Sequence, residues 1–514
     1  MSAETGVVNT PNLFRNAILL AVLCSVLFQG SRGLYESTEG RYVQCARETL
    51  NSGQLLEPML NGEHHWTKPP LTYAAIAAGL VTLGNNTWGA RAYLSLAFII
   101  TVLCVYLAGR CLWGERAAGL AALIYATSPF TVGAATAVST DTLLVCFQAL
   151  ATACFWLAVT RNHKGYMLGM WVALGLAALA KGPAGFVPLA GIVPAYVALR
   201  WNKTPVPPFL FIPGILLFSL VGMSWYALEI YRNPFLLNYW VMHETVGRFA
   251  ENEFQRNPEF RKIFTVYPPI LLLGTGPWIL LLALKQKYVG LTRETLTQWQ
   301  PGPNQAHWWY FAGGILLPFA FFSVSTSRLA LYILPLFVPI ILLMGKGLDT
   351  LVESRKVTTK TLVGMAYALM LLLVVAKGVS GYLPNNKDMK QLADQIRPAV
   401  EAHAAQNLVI FGKAPLNGLE FYLGRSIPTL DYEKSTGTTE NAKPESPILP
   451  ANTLVLGRTK VMKPLAENLL QGHHEILFQN KYWTLASVDQ PVNIPELREK
   501  VQGFKTKLPV VAPE

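Results

Sequence analysis

The sequence predicts a polytopic membrane protein, all-α through residue 381, followed by a small α/β domain over 382–514. Three observations predict it. Hydrophobic residues make up 52% of the chain and charged ones only 14%, with a mean hydropathy of +0.32, whereas soluble domains carry roughly 25% charged residues. Apolar runs long enough to approach a bilayer's thickness recur as far as residue 381. Beyond that point short apolar stretches alternate with charged, helix-like ones.

A spanning helix needs roughly 20 mostly apolar residues. Candidates lie near 14–30, 92–112, 117–136, 142–160, 166–180, 184–199, 209–228, 265–284, 308–323, 329–345 and 361–381, which sets an expectation of about 11 to 13 transmembrane helices. The first is read as a span rather than a signal peptide, because residues 1–12 lack a basic start and Gly30-Ser31-Arg32 is a poor cleavage site. Residues 70–83 are apolar but short and are placed as a helix at or dipping into the outer face, with prolines tolerated in its first turn. With that placement, the loops carrying Arg110 and Arg116, Arg161 and Lys164, Arg200 and Lys203, and Lys346 with Arg355 fall on one side, the cytoplasm. The net charge of +12 therefore reports topology, and no nucleic-acid partner is expected.

The opposite side receives the first loop (31–70), a second large loop (229–264) and the tail. The first loop holds a dense set of ionisable residues, among them Glu36, Glu39, Arg41, Glu57, His64, His65 and Lys68. Within it, residues 39–50 place Tyr42, Ala46 and Leu50 on one stripe, as in a helix lying on a membrane surface. In the tail, 385–402 reads as a helix, 408–411 as a buried strand, 416–423 as a short helix, 453–457 as a strand, 463–471 as a helix, and 475–479 and 483–488 as strands. Five of the six cysteines lie in apolar segments and none shows CxxC spacing, so no disulfide framework is implied.

Chemistry is expected on that outer side. Glu36 and Glu39 are three apart and share a face if helical, so one can act as base while the other orients; the bland alternative is a solvated loop. Asp141 opens a long apolar run, as a catalytic carboxylate or as a helix cap, and both readings stand. Lys68, Lys181 and Arg328 sit near membrane boundaries against the charge bias, which marks them for anion binding or for snorkelling to headgroups. His65 and His243 with Glu244 are candidate ligands for a divalent metal, without any HExxH spacing to support them.

Taken in order, YESTEGRYVQCARETL, NGEHHWTKPPLTY, residues 137–141, LGLAALAKGP, HETVGRF, YPPILLLGTGPWILLL and FSVSTSRLALYILPLF resemble the GT-C membrane glycosyltransferases. The set is most similar to the lipid A 4-amino-4-deoxy-L-arabinose transferases and their protein O-mannosyltransferase relatives. The resemblance implies a bacterial inner-membrane enzyme that uses a sugar on a polyprenyl (undecaprenyl) phosphate and inverts the anomeric carbon. Its acceptor would be a periplasmic lipid A, another envelope glycan or a protein. Lys68, Arg248, Arg328 and Lys181 would hold the donor phosphate, and Glu39, Glu36 or Asp141 would serve the acceptor. Two departures stand out. Thr38 occupies the place of the family's catalytic aspartate, which shifts its task to Glu39 or Glu36, and Thr67 stands where a metal-binding glutamate often precedes the lysine. A flippase for lipid-linked sugars and a catalytically dead assembly subunit are the alternatives.

Overall fold

The computed structural model describes residues 12–247, 257, 259, 261–286, 306–325, 327–403, 407–412, 414–430, 448–462 and 474–493. Two compact units emerge: Met1–Ser31 with Cys45–Gly381, and Arg32–Gln44 with Tyr382–Glu514. The segment carrying Glu36 and Glu39 thus groups with the C-terminal residues.

The first unit is helical. Among the described residues, seven helices are long and apolar enough to cross a membrane: Thr87–Trp113, Asp141–Arg161, Lys164–Phe186, Ile212–Arg232, Ala306–Val324, Ala330–Glu353 and Thr359–Ser380. An eighth span arises if Lys262–Gly274 and Pro277–Leu284, which meet at 83°, are one broken crossing. The break falls at Gly276, whose φ of 60° and following proline end one helix and start the next. Fewer helices reach spanning length than the apolar runs suggested, and the causes are local. The run 117–136 divides at Ser128-Pro129 into Glu115–Thr127 and Pro129–Ala134, since proline cannot continue a helix. Leu13–Val26, Leu71–Leu83 and Leu189–Trp201 are apolar but only 13 or 14 residues long, about 20 Å each at 1.5 Å per residue.

Burial separates core helices from rim helices. The most apolar stretches of Thr87–Trp113 and Asp141–Arg161 are 67% and 72% buried, against 22% for those of Ile212–Arg232 and Thr359–Ser380. Rim side chains such as Leu216, Leu220, Leu371 and Leu372 are bare, as lipid-facing residues are in the absence of a bilayer. Small residues allow close packing inside: Gly79 of Leu71–Leu83 lies directly against the Gly89 carbonyl, and a side chain there would collide with it.

The helix in the first loop is present as Thr38–Ser52. Tyr42, Val43, Cys45 and Ala46 are buried in protein, while Leu50, further along the same stripe, is only partly buried.

The second unit is built on a five-stranded sheet: β1 (Leu408–Phe411), β2 (Thr429–Leu430), β3 (Thr453–Arg458), β4 (His474–Gln479) and β5 (Trp483–Val488), in the order β2-β1-β3-β5-β4. β1 runs parallel to β2 and β3, while β5 is antiparallel to β3 and β4. The helix Met389–Ala402 starts at Asp388, whose carboxylate accepts from the N–H groups of Lys390 and Gln391, and packs Leu392 and Ile396 into the core formed with Leu408, Ile410, Leu454 and Leu485. β1, β3, β4 and β5 agree with the sequence reading, which has no strand at β2; the helix expected over 463–471 lies outside the described residues. Residues around Tyr35 join this unit as an extended strap. The Glu36 N–H donates to the Lys387 carbonyl at 2.9 Å, and the Met389 N–H to Leu34 O at 3.1 Å.

Candidate functional site

Two lysines meet in one cavity of the helical unit. Lys181 ends the helix Lys164–Lys181, which stops because Gly182 takes φ 68° and Pro183 follows. Its ammonium pairs with Asp141 at the start of Asp141–Arg161 and lies 4.9 Å from the centre of the Tyr332 ring. Asp141 therefore sits in the first helical turn as an ion-pair partner rather than as a cap, since the capping position is Thr140. Lys68, held before the helix Leu71–Leu83 by Pro69 and Pro70, donates to Glu244 Oε2 at 2.8 Å and to the Thr67 carbonyl at 2.8 Å. Both ion pairs line a cavity of about 400 Å³, whose other walls include Leu144, Phe321, Phe322, Tyr332 and Pro335. The cavity joins two cation–carboxylate pairs to a largely apolar wall. That combination suits an anionic headgroup attached to an apolar chain.

Other expected residues fall elsewhere. Arg328 is buried, and its guanidinium donates to the carbonyls of Ser323, Asn257 and Glu259, so it braces main chain; its neighbours Ser325 and Ser327 reach the cavity instead. Arg248 lies outside the described residues. For the metal, no group of three His, Cys, Asp or Glu side chains among the described residues is placed to hold one. Glu244 already faces the Lys68 ammonium, His65 packs edge-on to Tyr73, and His243 packs on Tyr239. This donor set does not fit a metal.

Glu36 and Glu39 belong to the second unit and differ in role. Glu39 is buried and bonded at both oxygens by Arg32: Nη1 to Oε2 at 2.6 Å and Nη2 to Oε1 at 2.9 Å, with the Tyr35 N–H also donating to Oε2 at 2.8 Å. Glu36 Oε2 accepts from the Gly418 N–H at 2.7 Å, whereas Oε1 is enclosed without a hydrogen-bond partner among the described residues. Burial pushes the Glu36 carboxyl up to about 7. Because the folded carboxyl keeps its proton to about pH 7 and an unfolded one releases it near 4.5, the folded state loses stability as pH rises through that window. Glu36→Gln is expected to flatten this loss and to exceed the parent's stability at pH 8 by up to about 3 kcal/mol, measured as thermal midpoints at pH 5 and pH 8.

Sequence reasoning singled out Lys68, Asp141 and Lys181 but not how they pair. Glu244 was visible only as a metal candidate, and Arg32 and Tyr332 carried no distinguishing signal.

Residues 67–225 match the family model described as dolichyl-phosphate-mannose-protein mannosyltransferase. In structure, the chain superposes on ArnT from Cupriavidus metallidurans bound to undecaprenyl phosphate with a TM-score of 0.72, 19% identity, and coverage of 92% of this chain and 97% of that one. The chain has the fold of that protein. In sequence it is 30% identical over 384 residues to the undecaprenyl phosphate-alpha-4-amino-4-deoxy-L-arabinose arabinosyl transferase of Edwardsiella ictaluri (strain 93-146), covering 72% of this chain and 66% of the relative. It is 29% identical over 344 residues to arabinosyl transferase 1 of the same description from Pseudomonas fluorescens (strain Pf0-1), covering 66% and 58%. The chain thus spans 58% to 66% of the length of these curated relatives. Of the cavity's lining, Lys68, Asp141 and Lys181 lie within the stretch that the family model matches, while Glu244 and the wall from Phe321 to Pro335 lie outside it.

Proposed function

We propose that the chain is a membrane glycosyltransferase that moves a sugar from a polyprenyl phosphate to an acceptor on the periplasmic face of a bacterial inner membrane. The acceptor class is lipid A, another envelope glycan or a protein. The observation that carries this reading is the convergence of Lys68 and Lys181 on one cavity with an apolar wall. The relatives' names, which specify an undecaprenyl-phosphate-linked sugar, support the same donor class.

In the reaction, the bond between the anomeric carbon and the phosphate oxygen breaks, and the phosphate leaves with added negative charge. Lys68 and Lys181 stabilise that charge where it develops; removing one such donor typically costs about 10²–10³ in rate. Glu244 and Asp141 hold the two ammonium groups in place. An acceptor hydroxyl attacks the anomeric carbon and gives its proton to Asp141, whose Oδ1 holds Lys181 while Oδ2 has no protein partner among the described residues. A phosphate acceptor would need no proton transfer.

The test is mass spectrometry of envelope glycolipids and glycoproteins from cells with and without the gene. A sugar mass missing from one species, with its polyprenyl-phosphate form accumulating, is expected. An unchanged profile with lipid-linked sugar trapped on the cytoplasmic side would replace this reading with a flippase.

A further inference from the structure

We propose that the second unit carries its own binding site for a small anionic saccharide, in the crevice at the carboxyl ends of β1 and β3. The topology comes first. From β1 the chain crosses to β2 on one side, while β3 lies on the other side of β1. In open α/β sheets, ligands bind outside the carboxyl ends of parallel strands where the strand order reverses in this way. A cavity of about 300 Å³ sits there, bordered by Phe411 and Gly412 at the end of β1, Arg458 at the end of β3, and Trp483 at the adjoining end of β5. That volume lies at the small end of the ~300–1,000 Å³ typical of ligand pockets, so it suits one sugar ring rather than an oligosaccharide.

The lining sets the chemistry. Arg458 sits over Trp483, its Cζ 4.0 Å from the ring centre, and its Nη1 donates to the Asn386 carbonyl at 3.5 Å, which fixes in place a planar fork suited to a carboxylate or phosphate. Lys387, exposed at the rim, adds a second cation. Glu36 also borders the cavity, and its enclosed Oε1 has no hydrogen-bond partner among the described residues. Buried polar atoms are rarely left so, and a ligand hydroxyl would satisfy it. Two cations and one orphaned oxygen therefore favour a hydroxylated anion.

Binding to the full-length protein in detergent, measured by isothermal titration calorimetry with glucose 6-phosphate, glucuronate, inorganic phosphate and glucose, tests this. The two anionic sugars are expected to bind at least tenfold more tightly than phosphate or glucose. Arg458→Met should weaken them tenfold or more and Lys387→Met several-fold, whereas Lys390→Met, which removes a lysine paired to Asp394 on the surface, should leave them unchanged. Lys387 is exposed, so its variant reports on the site even if Arg458→Met fails to fold. Equal binding of glucose or phosphate would overturn the proposal, as would no binding of either anionic sugar, or unaltered affinity in Lys387→Met. Loss of transfer in cells would leave this result untouched, because binding is read without turnover.

Discussion

Lys68→Met is expected to lower turnover about 10²–10³-fold, the effect of removing one donor aimed at developing charge, with a smaller change in KM. The substitution also has a structural consequence. Lys68 and Glu244 are mostly buried, with 14% and 11% of their side chains exposed, and breaking such a pair typically costs about 3–5 kcal/mol because one charge is left unpaired. Activity lost through unfolding would look the same in cells. The double variant Lys68→Met/Glu244→Gln separates the two effects, since it removes both charges and should recover much of the thermal midpoint lost by the single variant. Turnover of the purified double variant should stay low. If turnover instead returns with stability, Lys68 is only Glu244's structural partner, and the assignment of the cavity to the donor phosphate fails. Lys68→Arg keeps a cation but changes its shape, so it should retain the pair with Glu244 and recover only part of the rate.

What the sequence made legible follows from the range of the forces involved. The strands over 408–411, 453–458 and 483–488 are buried along almost their whole length and mostly apolar, and such runs declare themselves because both faces of the strand are buried. The membrane helices are legible for the same reason, although length alone did not show that Pro129 would divide one of them. The candidate lysines stood out by breaking the charge bias. Their partners did not, because Lys68 reaches Glu244 across 176 positions and Lys181 reaches Asp141 across 40, and no local pattern encodes a tertiary ion pair. Arg328 shows the converse. It has the location expected of a phosphate ligand, yet its Nε and Nη1 donate to three carbonyls, and only the path of the chain near Asn257 decides that. Glu36 and Glu39 were legible as a pair sharing one helix face. They are separated by the helix start at Thr38, which leaves Glu36 on the strap beside Gly418 and Glu39 inside the grip of Arg32.

The grip of Arg32 sets the second large effect. Glu39→Gln is expected to destabilise the C-terminal unit by about 3–5 kcal/mol, because it leaves the guanidinium, with 12% of its side chain exposed, without the carboxylate it forks around. A thermal melt of the purified protein should show this as a lower first transition. A general base predicts something further: turnover falls by about 10²–10⁴-fold even when the variant is fully folded. Both oxygens of Glu39 are already engaged by Arg32, and the Tyr35 N–H occupies one of them as well, which leaves little room for an acceptor proton. Glu39 is therefore expected to be a positioning residue, and the double variant Arg32→Met/Glu39→Gln should recover both the melting transition and most of the turnover. Recovery of the melt with turnover still reduced by orders of magnitude would make Glu39 the base and remove that task from Asp141. Asp141→Asn is the reciprocal measurement. With a hydroxyl acceptor it should lose turnover while Lys181 retains the Asn side-chain oxygen as a partner, and with a phosphate acceptor the loss should be far smaller, since no proton has to be taken.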